Sequence, residues 1–204
     1  MDLSSPPRRR YPALSIGLHW LSALAVATAF AVAWSRAALD EPQPRALLMA
    51  VHQGAGLLVM ALLLVRIGAR LASFRGMPKA PLPRLMRLTA FATHLALYAL
   101  LLAMPLLGWA LTNAHGHDVR FPGLPVFPAM VEADTDLAET LESWHVGLAW
   151  VLGGLIVAHA GAALFHHFVR KDGVLRSMLP MPVPDGRGPS DPRTSARTQG
   201  SRSF

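Results

Sequence analysis

Two histidines, His145 and His159, stand fourteen residues apart within one apolar stretch of the chain. Imidazole nitrogens bind transition metals and exchange protons near neutral pH, so such a pair predicts metal ligation or proton transfer. If the stretch is one helix, this spacing falls about 40° short of four full turns. Both rings then leave nearly the same face, about 21 Å apart along the axis. One helix can therefore serve two sites stacked along its length.

The composition places these histidines in a membrane. The chain has 204 residues, of which 52% are hydrophobic and 15% are charged, a balance that is unusual for a soluble domain. Four stretches, at about residues 13–35, 46–65, 88–112 and 144–169, approach or exceed the ~20 apolar residues that cross a bilayer. None of them contains the charged residues that the outer stripe of a soluble helix would carry. The sequence predicts an all-α integral membrane protein, a bundle of four transmembrane helices.

We divide the chain into three parts. Residues 1–12 form a basic N-terminal segment, residues 13–179 form the bundle, and residues 180–204 form a basic tail rich in Pro, Gly and Ser. The tail has too few apolar residues to bury a core, so we expect it to be disordered. The first stretch follows three arginines, as a signal peptide would, but it is longer than a signal sequence and contains His19 and two tryptophans. We interpret it as a retained span.

Positive charge alternates between the connections. The N-terminal segment, the second connection and the tail hold sixteen of the nineteen Lys and Arg residues. The first and third connections hold Arg36, Arg45 and Arg120, and the third also carries six acidic residues, five of them from Glu132 to Glu142, where we expect a short surface helix. The positive-inside rule then places both termini in the cytoplasm, so that the chain would cross the inner (cytoplasmic) membrane. This segregation accounts for the net charge of +7 without a nucleic-acid partner.

The topology assigns a depth to each histidine. His19 and His159 fall at an inner level, and His52 and His145 fall at an outer level. Two neutral imidazoles that face each other across a helical bundle supply the axial nitrogens of a six-coordinate b-type haem. The chain has no cysteine, which excludes thiolate ligands and thioether-linked haem. We therefore predict two haems b, one held by His19 with His159 and the other by His52 with His145.

Further residues suit the same site. Arg66 and Arg70 follow His52 by fourteen and eighteen residues, so either can reach the inner level and pair with an anionic haem propionate, unless both are ordinary positive-inside arginines. His94 shares the inner depth, and it either replaces one inner ligand or lies beside the ligands and the substrate. Glycines flank all four histidines and admit either a flat macrocycle or a neighbouring helix: Gly17, Gly54, Gly56, Gly147, Gly153, Gly154 and Gly161. We expect His115, His117, His166 and His167 to be solvated at the interfaces.

Several strings resemble the bacterial cytochrome b561 family, which is related to the cytochrome b subunits of Ni/Fe-hydrogenases. They are Ser15 to Trp20, Met49 to His52, Ser143 to His145, and Ala158 to Ala163 followed by His166 and His167. The similarity covers about residues 10–180. The resemblance implies that His19, His52, His145 and His159 are the axial ligands. It also implies electron transfer between ubiquinone or another membrane quinone and a partner at the outer face, where some bacterial members are thought to oxidise superoxide.

Two alternatives stay open at this point. The bundle can be the membrane anchor of a hydrogenase- or dehydrogenase-type complex, or a transporter that uses its histidines for metal ions or protons and binds no haem. We expect membrane lipid and quinone as partners, with a soluble redox protein or superoxide at the outer face. The acidic character of the outer connections disfavours capture of superoxide by charge. A quinone-linked oxidoreductase that acts by itself is the third possibility that stays open.

Overall fold

The computed structural model describes residues 12–72, 83–120, 123 and 125–180. Within this part of the chain, four long α-helices and one 3₁₀ turn form the structure, and there is no strand. The helices are α1 (Ala13–Ala37), α2 (Pro42–Ala72), α3 (Arg84–Ala114) and α4 (Thr135–Phe168). Each is long and apolar enough to cross a membrane. The prediction of an all-α fold with four spans is confirmed, while residues 1–11 and the tail from residue 181 lie outside the described residues.

The helices extend past the apolar stretches because local signals set their ends. Pro42 begins α2, at a position where a missing backbone N–H costs nothing. The Asp134 carboxylate precedes α4 and accepts a hydrogen bond from the Leu137 amide at 2.9 Å. The acidic stretch, which we expected to form a short surface helix leading into the fourth span, supplies the first turns of α4 from Thr135 onward. After α3, Gly116 adopts a φ of 77°, in the left-handed region that favours glycine.

The four helices pack as two hairpins. α1 packs along α2, α3 packs along α4, and α2 also packs on α3. Leu18 and Ala25 of α1 meet Val59 and Leu62 of α2 in the main apolar cluster. In contrast, α4 has no extensive packing against α1 or α2. Helix α4 therefore faces α1 and α2 across a gap along most of its length.

Two hydrogen bonds hold three segments together at one end of the bundle. The Trp20 indole donates a hydrogen bond to the Met178 carbonyl at 2.7 Å, and the Arg170 guanidinium donates to the Met86 sulfur at 3.0 Å. These contacts join the starts of α1 and α3 to the segment after α4.

The two ends of the bundle differ in charge. The end that holds these contacts, which we call the basic end, carries Arg66, Arg70, Arg84, Arg87, Arg170, Lys171 and Arg176. The opposite, acidic end carries Asp40, Glu41, Asp118, Glu132, Asp134, Asp136, Glu139 and Glu142.

The segment that follows α4 is tied back to the helix through Asp172. Its carboxylate accepts a hydrogen bond from His166 Nδ1 and another from the Val174 amide at 3.1 Å. Partial burial raises the pKa of Asp172, but these hydrogen bonds and the nearby His166 and Arg170 charges outweigh burial and hold the pKa below its usual range. The folded segment therefore favours the ionised carboxylate.

We expect this attachment to weaken in acid. A carboxylate whose pKa is lowered by folding stabilises the fold above its ordinary pKa of about 4, and loses that contribution as the pH falls through the lowered value. The protection of amides 170–178 against hydrogen exchange in detergent, taken relative to the intrinsic rate at each pH, should fall over this range, and Asp172→Ala should show the low protection at neutral pH. As a control, Asp118→Ala breaks an exposed ion pair with Arg120 at the acidic end and should leave exchange at the basic end unchanged. Slow exchange that persists in Asp172→Ala would contradict this role.

Candidate functional site

The structure brings the four predicted ligands together in the two predicted pairs. His19 of α1 faces His159 of α4 with ring centroids 6.3 Å apart and ring planes at 71°; we call this pair the basic-end layer. His52 of α2 faces His145 of α4 with ring centroids 6.1 Å apart and planes at 68°; we call this pair the acidic-end layer. Both layers bridge the gap between α4 and the α1–α2 hairpin.

These spacings suit one metal ion between two imidazoles. A first-row metal binds an imidazole nitrogen at about 2 Å, and the ring centre lies about 1 Å beyond the nitrogen. Two imidazoles on opposite sides of one ion therefore have centres about 6 Å apart. Each layer offers two neutral nitrogen donors from different helices, which is the donor set of a six-coordinate haem b.

A backbone carbonyl orients His52. His52 Nδ1 lies 2.9 Å from the carbonyl oxygen of Ala29 in α1, so we assign the N–H to Nδ1. The Nε2 lone pair then remains available as a ligand, and the ring is fixed by the hydrogen bond on its other nitrogen. This contact also joins α2 to α1 at the level of the acidic-end layer.

His145 is positioned by close packing. Its Nδ1 is buried and has no hydrogen-bond partner within the described part of the chain, a state that costs about 1–3 kcal/mol unless a bound group interacts with the ring. Across the helix interface, a β-carbon built on Gly108 of α3 would lie 3.3 Å from His145 Cε1. Any larger residue at position 108 would require the His145 imidazole to shift from its observed position.

We expect Gly108→Ala to disturb the acidic-end layer selectively. The methyl group would push the His145 ring by a few tenths of an ångström, at a cost of about 1–3 kcal/mol for overpacking. The control is Gly68→Ala in α2, where a β-carbon would meet nothing within 4 Å and helix propensity should add about 1 kcal/mol. Thermal unfolding and the absorption spectrum of the purified protein measure both effects. Equal behaviour of the two variants would show that Gly108 does not position His145.

The glycines near the histidines separate into two groups. A β-carbon on Gly153 would lie 3.8 Å from the Phe30 ring, an ordinary contact distance, so α4 comes close to α1 at this point. At five other positions a β-carbon would contact nothing within 4 Å: Gly17, Gly56, Gly147, Gly154 and Gly161. Close helix packing does not explain those five. They leave backbone accessible to a flat group beside each layer, so the residues present fit a b-type haem at both levels.

His94 lies beside the basic-end layer. Its ring centroid is 5.3 Å from that of His159 and 6.5 Å from that of Tyr98, which follows on the same face of α3. The side chain of His94 is exposed, and its Nδ1 lies 2.6 Å from the Ala90 carbonyl oxygen. The structure therefore places His94 next to the basic-end layer, on the side of His159.

The two predicted arginines differ in their surroundings. Arg66 is half-buried, and its guanidinium carbon lies 5.5 Å from the centroid of the Tyr98 ring. Arg66 is also close enough to act electrostatically on both rings of the basic-end layer. Arg70 is exposed, one turn nearer the end of α2. The structure thus brings Arg66, but not Arg70, into the site.

The remaining histidines lie outside both layers. His115 and His117 are exposed in the acidic-end connection. At the basic end, His166 bonds Asp172 and His167 contacts Phe168 with ring centroids 4.8 Å apart.

Comparison with known proteins identifies the family. The model of the prokaryotic cytochrome b561 family matches residues 10–181. This chain belongs to that family. Over 191 residues it is 36% identical to cytochrome b561 homolog 2 of Escherichia coli (strain K12), which covers 88% of this chain and 95% of the relative. It is 34% identical over 176 residues to a protein of Yersinia pestis named "Probable superoxide oxidase CybB", covering 84% of this chain and 97% of the relative.

Cytochrome b561 homolog 1 of the same Escherichia coli strain is 34% identical over 172 residues, covering 84% of this chain and 97% of that protein. The resemblance seen in the sequence is confirmed, and the chain is a multi-pass bacterial membrane protein and a cytochrome b electron carrier. The family implies b-type haem. Sequence reasoning had not singled out Tyr98, Gly108 or the Ala29 carbonyl as functional.

Proposed function

We propose that this chain holds two b-type haems and carries electrons across the inner membrane between a reductant at the acidic end and a membrane quinone. His19 and His159 would hold one haem, and His52 and His145 would hold the other. The observation that carries the proposal is the two layers of facing imidazoles, with centroid spacings of 6.3 and 6.1 Å. One continuous helix, α4, supplies one histidine of each layer. When bound, a haem b supplies a reversible one-electron carrier at each layer.

The protein fixes the geometry of this path. Fourteen residues of α4 separate His145 from His159, so the helix rise sets the two layers about 21 Å apart along its axis. The hydrogen bond to Ala29 orients His52, and packing against Gly108 places His145. These two contacts direct His52 and His145 across the gap toward each other.

Charge gives the path a direction. The Arg66 guanidinium lies on Tyr98, whose ring neighbours His94 and through it His159 of the basic-end layer. The low dielectric of a membrane interior strengthens the field of this charge. A positive charge favours the reduced state of a nearby carrier, because reduction adds an electron. We therefore propose that electrons enter at the acidic end and leave at the basic end.

The basic end would face the cytoplasm. Its concentration of Arg and Lys follows the positive-inside rule and suits contact with anionic lipid head groups. A reporter that is active only outside the cytoplasm should be silent when fused after residue 204. Activity of that fusion would overturn this orientation.

Superoxide is the candidate reductant that the comparisons favour, because the Yersinia relative is named a probable superoxide oxidase. Each superoxide anion would give up one electron and leave as O₂. The described acidic end has eight carboxylates and the arginines Arg36, Arg45 and Arg120, so long-range attraction of an anion is weak there. Superoxide oxidation by this chain should therefore depend little on ionic strength, whereas a cationic redox protein would react more slowly in high salt.

The proposal is tested on the full chain purified in detergent. We expect a Soret band, about two haems per polypeptide, and oxidation of the reduced protein by a short-chain ubiquinone without any other subunit. A colourless protein from cells with ample haem supply would overturn the proposal and favour a histidine-based transporter. Oxidation that requires a copurifying catalytic subunit would overturn the self-sufficient carrier and favour the anchor of a larger complex.

A further inference from the structure

A cavity lies at the basic end of the bundle, at the last residues of α4 and the segment that follows them. It has a volume of about 240 Å³ and is lined by His167, Phe168, Lys171, Asp172 and Arg176. This volume is many times the space that one water molecule needs, so a phosphate group fits within it. None of the lining residues belongs to a histidine layer or to the proposed electron path.

The apolar side of this cavity faces the bilayer. Phe168 follows His159 by about two and a half helical turns, so it lies on the opposite side of α4 from the imidazole that faces the gap. Val157 and Leu164 lie on the same outward face, and the three side chains are between 49% and 72% exposed. The buried Leu152 lies about 20° from His159 around the helix. Helix α4 therefore turns its buried side inward, and its outward apolar stripe ends at Phe168 beside the cavity.

The polar side of the cavity carries positive charge that no carboxylate neutralises. Among the described residues, neither Lys171 nor Arg176 forms an ion pair. The carboxylate that lines the cavity, Asp172, is already engaged by His166 and by the Val174 amide. The cavity therefore offers an ammonium and a guanidinium to an anion at the end of a transmembrane helix.

Lys171 has an unusual backbone conformation. Its φ is 52°, in the left-handed region that glycine adopts readily and that a residue with a β-carbon adopts at a cost. No other non-glycine residue in the described part of the chain has a positive φ. A glycine would make this turn without strain, so the turn itself does not explain a lysine. Backbone strain of this kind is concentrated at functional sites, and here it accompanies a cation that lines a cavity.

We propose that this cavity binds the phosphate group of an anionic phospholipid. The Lys171 ammonium and the Arg176 guanidinium would donate charge-assisted hydrogen bonds to the phosphate oxygens, and the half-buried His167 would donate to the head group. One acyl chain would lie along Phe168 and the outward stripe of α4. This apolar wall favours a lipid over inorganic phosphate as the source of the phosphate group. The site requires neither haem nor quinone, so it goes beyond the proposed function and does not rest on it.

Lipid binding to the full chain in detergent tests the site. Native mass spectrometry with added phosphatidylglycerol, phosphatidylcholine or inorganic phosphate gives the number of bound molecules and their dissociation constants. We expect one phosphatidylglycerol per chain, bound about tenfold more tightly than phosphatidylcholine. Arg176→Gln should weaken this binding about tenfold, because it removes a charge-assisted hydrogen bond.

A second variant separates binding from folding. Lys171→Gly removes the ammonium and should also weaken phosphatidylglycerol binding about tenfold. Because glycine tolerates the left-handed conformation, the unfolding temperature without lipid should stay at or above that of the wild type. Wild-type affinity in both Lys171→Gly and Arg176→Gln would overturn the site.

The matched control is Arg87→Gln, which removes one positive charge from the same end of the bundle at an exposed position outside the cavity. It should bind phosphatidylglycerol as tightly as the wild type does. An equal loss of affinity in this control would show that general surface charge holds the lipid, and would overturn the site. Equal binding of phosphatidylcholine, or displacement of phosphatidylglycerol by an equal concentration of inorganic phosphate, would overturn an anionic lipid as the occupant.

Discussion

Replacing His52 by Ala should reduce the haem content of the purified protein from about two per chain to about one. The substitution removes one axial nitrogen of the acidic-end layer and the contact with the Ala29 carbonyl, while His19 and His159 keep their facing arrangement. The basic-end haem should therefore keep its spectrum. Haem-to-protein stoichiometry and redox titration of the absorption bands measure the loss.

The converse variant makes this experiment decisive. His159→Ala should empty the basic-end layer and spare the acidic-end layer, and the double variant should be colourless. His117→Ala, an exposed histidine of the acidic-end connection, serves as the control and should keep both haems. Loss of both haems in each single variant, or of neither, would refute the pairing of ligands.

Inserting one alanine between Gly153 and Gly154 should uncouple the two layers. The added residue lies between His145 and His159, so it rotates one ligand relative to the other by about 100° and moves it by about 1.5 Å. Helix α4 can then bring only one of its two histidines, His145 or His159, opposite a partner on another helix. We therefore expect about one haem per chain. Stoichiometry and the number of resolved redox transitions measure this effect.

The control insertion leaves the ligand register intact. One alanine after Asp136 lies upstream of both histidines in α4, so His145 and His159 keep their mutual angle, and both haems should bind. Two fully occupied sites in the insertion between the glycines would mean that α4 does not impose the register through a continuous helix.

Most of the fold and the four central histidines could be predicted from the sequence. Membrane spans are apolar over a length fixed by bilayer thickness, so their number was evident without tertiary information. The alternation of basic and acidic connections then fixed the depth of each histidine. This reasoning paired His19 with His159 and His52 with His145 before any contact was known, because helices in an alternating bundle can meet only at equal depth.

The parts that escaped prediction depend on helix rotation and backbone groups. Tyr98 is one of many aromatic residues in the spans, and only its position beneath Arg66 and beside His94 sets it apart. The Ala29 carbonyl has no residue-type signal, since every residue carries one. The sequence could not distinguish Arg66 from Arg70, because only the structure shows that Arg66 is half-buried on Tyr98 and that Arg70 is exposed.

The sequence predicted that the acidic stretch is helical, but it did not show how that helix joins the fourth span. The predicted surface helix was to lead into the span, and the Asp134 cap begins one helix that continues through the span without a break. The spacing of polar residues alone does not reveal whether two adjacent helical segments share one axis. A cap at the start and the absence of a breaker between the two segments would have indicated continuity.

Helix α4 supplies one histidine to each layer and follows α1, α2 and α3 in the chain. During synthesis, the ribosome therefore delivers His19 and His52 to the translocon well before either acquires its opposing imidazole. A nascent polypeptide at that stage can offer each haem only one of its two proposed ligands. Loading of the two proposed haems would thus be a late step of biogenesis, completed at both levels by the insertion of a single helix.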